Sequence, residues 1–169
     1  MTNQELPNWD RIVELHAKRV FRVAFRILGS VQDAEDVSQD VFAEAFRVHS
    51  RGPVQTWAGL LVRLATLRSL DRLRRNRPSV ELHEGDKITT VEPFERVAAE
   101  ELTSWLRSAV TQLPDQQATV FVMSHFEQLS RDDISAALGI SSEAVATALY
   151  KARQSLLAQL NLFNLGESK

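Results

Sequence analysis

Apolar residues recur at intervals of three and four along most of the chain, the spacing that places them on one face of an α-helix. Few segments alternate apolar and polar residues as a half-buried strand does. Only 6 glycines and 5 prolines interrupt the helical pattern. The pattern therefore predicts an all-α protein.

Three helices are predicted in the first half of the chain, over residues 9–28, 31–48 and 56–75. Gly29 is expected to end the first helix, and Ser30 is placed to cap the N-terminus of the second. The loop from Arg51 to Pro53 precedes the third helix, which is expected to bury a face of leucines and leave an arginine-rich face outside.

The helical pattern fails between Asn76 and Pro93, where proline, glycine, threonine and charged residues mix. Residues 78–93 are therefore predicted to form a linker between two small helical domains, 1–77 and 94–169. Beyond the linker, a helix is expected from Phe94 to Gln112, and Pro114 is expected to begin another that reaches about Glu127.

The sharpest local pattern is SRDDISAALGISSEAVATALYKAR, residues 130–153. Ser130 with Asp133 begins a helix, and Gly139 supplies a tight turn. Ser141 or Ser142 then caps a second helix. Two helices joined in this way form a helix-turn-helix, a common DNA-reading unit, although an ordinary helical hairpin would give the same pattern.

Composition limits the classes of protein that the chain can be. No apolar run approaches the roughly 20 residues of a membrane span, so membrane insertion is not expected. The first ten residues are polar and do not resemble an export signal, so a cytoplasmic protein is expected. The absence of cysteine excludes disulfides, thiolate nucleophiles and cysteine metal sites.

Charge is segregated along the chain, although the net charge is only −2. Residues 31–46 contain five acids and no base, whereas residues 63–77 contain six arginines and one acid. A protein that coats nucleic acid non-specifically would carry a large positive charge, so that class is disfavoured. The two blocks are expected to serve different partners.

No feature of the sequence indicates an enzyme. The four histidines are scattered, none with metal-ligand spacing, and no glycine-rich phosphate loop follows a strand. We therefore predict no catalytic residue, no metal site and no cofactor.

Separate stretches resemble the two conserved regions of bacterial RNA polymerase sigma factors of the extracytoplasmic-function class. RILGSVQDAEDVSQDVFAEAF (26–46) resembles the family's core-polymerase-binding helix. TWAGLLVRLATLRSLDRLRR (56–75) resembles its promoter-melting helix, which reads the minus-ten element. Residues 113–156 resemble its helix-turn-helix, which reads the minus-thirty-five element. The resemblance implies a non-catalytic transcription initiation factor.

The resemblance also implies partners and site residues. Core RNA polymerase is expected to bind Asp36, Gln39 and Asp40. The minus-ten region of promoter DNA is expected to contact Arg51, Thr56, Arg63, Arg68, Arg72, Arg74 and Arg75. The minus-thirty-five region is expected to contact Ser141, Ser142, Thr147, Lys151 and Arg153. An anti-sigma factor is a further partner that the family implies.

The recognition helix departs from the family pattern. Where the family commonly carries TVKSRLHRAR, this chain has AVATALYKAR, with Ala146 and Ala148 in two basic places. Because phosphate contacts supply much of DNA affinity, the second domain is expected to bind DNA weakly or to have moved to a protein partner.

Two other functions remain open on the sequence alone. A stand-alone helix-turn-helix regulator would bind a palindromic duplex as a dimer, without polymerase. A sigma-derived interaction module would bind core polymerase and direct no promoter-specific initiation.

Overall fold

The computed structural model describes residues 8–76 and 93–166, and the side chains of 8–76 and 96–164. Seven α-helices and no strand are found in these residues, which confirms the all-α prediction. The helices are α1 (Trp9–Leu28), α2 (Val31–His49), α3 (Trp57–Arg75), α4 (Pro93–Val110), α5 (Asp115–His125), α6 (Arg131–Leu138) and α7 (Ser142–Gly166).

Two adjacent capping residues set the C-terminus of α1 and the N-terminus of α2. Gly29 has a positive φ of 71°, which a glycine adopts without steric cost, and its N–H donates to the Phe25 carbonyl at 2.7 Å. The Ser30 hydroxyl then accepts a hydrogen bond from the Asp33 N–H at 3.3 Å. The predicted break between these helices is therefore confirmed.

The helix-turn-helix is formed by α6 and α7. The Ser130 hydroxyl accepts from the Asp133 N–H at 3.1 Å and begins α6. Gly139, with φ 64°, ends α6 in the left-handed conformation. Ser141 caps α7 by accepting from the Ala144 N–H at 3.0 Å. The local pattern in the sequence thus predicted both helices and the turn.

Helix α3 is buried on two sides. It packs against α1 and α2 within the first half of the chain and against α5 and α6 of the second half. Of its leucines, Leu61, Leu64 and Leu70 are buried. Val62, Thr66 and Ser69 are fully buried as well. The expectation of one buried leucine face and one open arginine face was therefore too simple, because the second half covers another side of the helix.

The predicted bounds of the second half needed small corrections. Pro114 has an extended ψ of 147° and stands before α5 as its N-cap, so it is not the first helical residue. Helix α4 begins at Pro93, and the remainder of the predicted linker, 78–92, lies outside the described residues. None of the helices in the described parts of the chain is long and apolar enough to cross a membrane.

Candidate functional site

The three residues predicted to bind polymerase share one surface of α2. Asp36, Gln39 and Asp40 are all exposed and follow the spacing of three and four residues that brings side chains together on a helix. Val37 and Val41, on the opposite side, are buried in the core. We call Asp36, Gln39 and Asp40 the acidic face.

Arg72 of α3 joins the acidic helix to the arginine-rich helix. Its guanidinium donates to Asp33 Oδ1 from Nε at 2.8 Å and lies 3.1 Å from Asp36 Oδ2. The hydrogen bond to Asp33 raises the pKa of Arg72 above its ordinary value, and the charges of both carboxylates add to the effect. The two charged blocks therefore neutralise each other in part, and their separation in sequence is not a full separation in space.

A charged cleft of about 170 Å³ lies beside the loop between α2 and α3. Arg47, Arg51 and Arg68 line it, together with Glu44. Arg68 is paired with Glu44 at 2.6 Å, which leaves Arg47 and Arg51 as the exposed cations of the cleft. Sequence reasoning missed Arg47, although it lies on α2 only four positions before Arg51.

The other predicted minus-ten residues do not share one environment. Arg63 and Arg75 are exposed, and neither has an acidic partner in the described part of the chain. Arg74 instead reaches the second half, where it donates to the carbonyls of Thr111 at 3.0 Å and Leu113 at 3.2 Å. Thr56 is the exposed N-cap of α3 and makes no side-chain capping hydrogen bond.

Helix α7 presents a mostly neutral outer surface. Val145, Ala148 and Ala152 are buried, so the opposite side of the helix faces outward. The outward residues are Glu143, Thr147, Tyr150 and Gln154. Tyr150 is 65% exposed and was not among the predicted contacts.

The remaining predicted residues of the recognition helix flank this outward surface. Ser141, Lys151 and Arg153 are exposed, whereas Ser142 is half-buried. Arg153 Nη2 lies 3.4 Å from His125 Nε2. Partial burial lowers the pKa of His125 below its ordinary value, and the charge of Arg153 lowers it further.

Within the described parts of the chain, no three histidine, aspartate or glutamate side chains are arranged to hold a metal ion.

Two family models match this chain in succession. The model for sigma-70 region 2 matches residues 12–78, and the model for sigma-70 region 4 matches residues 103–156. The chain is 32% identical over 162 residues to the extracytoplasmic-function RNA polymerase sigma factor SigE of Mycolicibacterium smegmatis. It is 28% identical over 162 residues to the sigma factor SigW of Bacillus subtilis.

The chain belongs to the extracytoplasmic-function class of sigma-70 factors. The segment matched to SigE covers 89% of this sigma factor but only 61% of SigE. The segment matched to SigW covers 88% of this sigma factor and 87% of SigW. The region 2 match spans almost all of α1 to α3. The region 4 match runs from within α4 into α7 and includes the helix-turn-helix.

Solved structures show the same fold. CnrH, in its complex with the cytosolic domain of CnrY, superposes with a TM-score of 0.59 at 22% identity, over 91% of this chain and 88% of that chain. The sigma factor RpoE, in its complex with the anti-sigma factor NepR from Bartonella quintana, gives a TM-score of 0.57 at 15% identity, over 91% and 97% of the two chains.

The burial of the two alanines in the recognition helix leads to a stability prediction. Ala148 is 7% exposed, so Ala148→Arg must force a long charged side chain into the packed turn and should destabilise the chain by about 1–3 kcal/mol. Ala146 is half-exposed, and Ala146→Lys should change stability by less than about 0.5 kcal/mol. Urea unfolding of both variants measures the difference, and equal stabilities would contradict this packing of α7.

Proposed function

We propose that this chain binds core RNA polymerase and directs it to specific promoters, with no catalysis of its own. The observation that carries the proposal is the presence of two sigma regions, matched in order over residues 12–78 and 103–156. A stand-alone helix-turn-helix regulator has no use for the first region. That alternative is therefore not favoured.

The acidic face is our candidate for the polymerase-docking surface. Asp40 and Gln39 are exposed, and Asp36 keeps half of its side-chain surface exposed although Arg72 holds one of its oxygens. Exposed carboxylates attract a basic partner surface over a distance and fix its orientation, because their charge is only partly neutralised within the chain. The buried opposite side of α2 keeps this surface rigid.

The exposed arginines of the first half are our candidates for contacts with minus-ten DNA. Arg63 and Arg75 are open to solvent, and Arg47 and Arg51 stand over the cleft beside the α2–α3 loop. Arginines in such positions bind backbone phosphates, which hold the DNA in register while a loop contacts the bases. Arg68 and Arg72 are paired with acids, so we assign them a smaller share of the phosphate contacts.

The helix-turn-helix offers few charges for minus-thirty-five DNA. The outward side of α7 presents Thr147 and Tyr150 with Glu143, and Lys151 lies at its edge. Threonine and tyrosine can contact thymine methyl groups, and a glutamate can accept from a cytosine amino group. We therefore propose that this half adds sequence preference and that the first half supplies most of the electrostatic affinity.

The structure of CnrH was solved with the cytosolic domain of CnrY bound, and that of RpoE with the anti-sigma factor NepR bound. We propose that this sigma factor is likewise held by an anti-sigma factor and that it acts in the cytoplasm.

Charge reversal on the acidic face tests polymerase docking. Asp40→Lys should reduce co-purification with core polymerase at least about tenfold, since a like charge at a docking surface costs more than the roughly 1.4 kcal/mol that a tenfold change represents. Glu14→Lys, an equal charge change at an exposed site of α1, should leave co-purification unchanged. Equal recovery of Asp40→Lys and the parent chain would remove α2 from the docking surface.

Two arginines of α3 form a matched pair for the DNA assignment. Arg75→Ala should lower the slope of log affinity against log salt by about one, because an exposed cation that leaves a phosphate changes the number of released counterions by one. Arg72→Ala should lower it by much less, since two carboxylates already hold that charge. Promoter-complex titrations of reconstituted polymerase between low and moderate salt give both slopes, and indistinguishable slopes for the two variants would refute the distinction.

A further inference from the structure

The turn of the helix-turn-helix holds the start of α7 in a fixed position. The Ser135 hydroxyl of α6 donates to the Ile140 carbonyl at 2.6 Å and closes the turn over Gly139. Ile134 of α6 and Val145 of α7 are each 1% exposed, so both helices are anchored in the core of the second half. Packing therefore sets the direction of the side chains in the first turn of α7, as precise recognition of another molecule requires.

Glu143 stands in this first turn and faces away from the buried side of α7. At 3.6 residues per turn it lies about 160° around the helix from Val145 and about 180° from Ala152, which is fully buried. Its exposed carboxylate forms no ion pair with any residue in the described part of the chain. No side-chain contact within the chain therefore accounts for a charge at this position.

A carboxylate on this surface is unfavourable for general DNA binding. Residues 130–153 contain three bases and three acids, so the helix-turn-helix carries no net charge with which to attract phosphates. An acid that faces the duplex is repelled by the phosphates of every sequence. The repulsion is offset only where a base offers a hydrogen-bond donor to the carboxylate, so such an acid favours one kind of base over the others.

The major groove offers that donor most openly at cytosine. Guanine presents two acceptors, N7 and O6, and thymine presents the O4 acceptor and a methyl group. In an A·T pair the adenine N6 donor lies between two acceptors, adenine N7 and thymine O4, which repel a carboxylate. In a C·G pair the cytosine N4 donor has an acceptor on one side only, and glutamate is accordingly a partner for this amino group.

We propose that Glu143 is a specificity-determining residue, which recognises a C·G base pair of the minus-thirty-five element by accepting a hydrogen bond from the cytosine amino group. This inference rests on the proposed function, since it requires α7 to lie in the major groove of promoter DNA. Thr147, on the same outward surface, lies about 6 Å farther along the helix axis. Because one base step is about 3.4 Å, Thr147 faces a different base pair.

Transcription from a promoter library tests this contact with the complete chain and core polymerase. The library is built on a promoter found with genomic DNA, with the bases of its minus-thirty-five region randomised, and the promoters that yield transcripts are sequenced. We expect the parent chain to select cytosine at one position by about fivefold or more over each other base. This factor is the lower end of the usual cost of one mismatched base pair.

Two substitutions of Glu143 give different expected selections. Glu143→Gln should shift the selection at that one position from cytosine toward adenine, because an amide pairs with adenine N6 and N7 together. Glu143→Ala should abolish the selection there and leave the other positions unchanged. Glu101→Gln removes an equal charge from an exposed site of α4 and should leave every position unchanged.

The same variants separate base recognition from two general effects of the charge. An acid in the first turn also stabilises its helix through the helix dipole, which thermal unfolding of each variant reports. A carboxylate that only repels phosphates would give, in Glu143→Gln, the same factor of stronger binding to every promoter and no change in the selected base. That result would overturn the cytosine contact, as would a parent chain that selects no cytosine.

The outcomes also distinguish this inference from the function on which it rests. Promoter-dependent transcripts whose selected cytosine persists in both Glu143 variants would refute the contact and leave the proposed function intact. No promoter-dependent transcript from genomic DNA with the parent chain would refute the proposed function, and the inference with it.

Discussion

Helix α3 packs against α1 and α2 on one side and against α5 and α6 on the other, so a single helix takes part in the core of both halves. This double burial limits where its arginines can go. Arg63 and Arg75 stay in solvent, Arg68 and Arg72 turn toward the acids of α2, and Arg74 crosses into the second half. The arginines of α3 therefore occupy three environments, which are solvent, the acids of α2 and the backbone of the second half.

The ion pairs of this molecule contribute little to its stability, and their main effect is to decide which charged side chains stay unpaired. Half-exposed ion pairs such as Arg68 with Glu44 contribute about 1 kcal/mol or less, because water and salt screen them. Their positions nevertheless decide which charges remain available to partners. Glu127, between the halves, differs from such pairs because its side chain is only 1% exposed where it meets Arg19 and Arg22 of α1. The same residue types thus form exposed or half-exposed pairs on the first half and a buried cluster between the halves.

Local features of the fold could be read from the sequence. Gly29, Ser30, Ser130 and Gly139 mark helix ends through side-chain and backbone chemistry that acts within a few residues, and each stands where the structure has an end. The helix-turn-helix followed from such local patterns, whereas the class of sigma factor followed from the resemblance of whole segments to a known family.

Contacts between distant residues could not be read in this way. Arg19 and Glu127 are 108 positions apart, and Arg74 bonds to Thr111 across 37 positions, so no periodicity connects them. The pairing of Arg72 with Asp33 was hidden for the same reason, although both residues were noticed for their charge. Tyr150 was visible but was given no role, because the outward side of α7 is set only when α5 and α6 pack against its inner side.

Transcription in vitro tests the central claim most directly. Core RNA polymerase would be incubated with fragments of genomic DNA, with and without this chain, and the 5′ ends of the transcripts mapped. The account predicts a small set of discrete start sites that appear only when the chain is added and that share upstream sequence at two separated elements. Identical transcripts with and without the chain, in a reaction where it is bound to the polymerase, would contradict it.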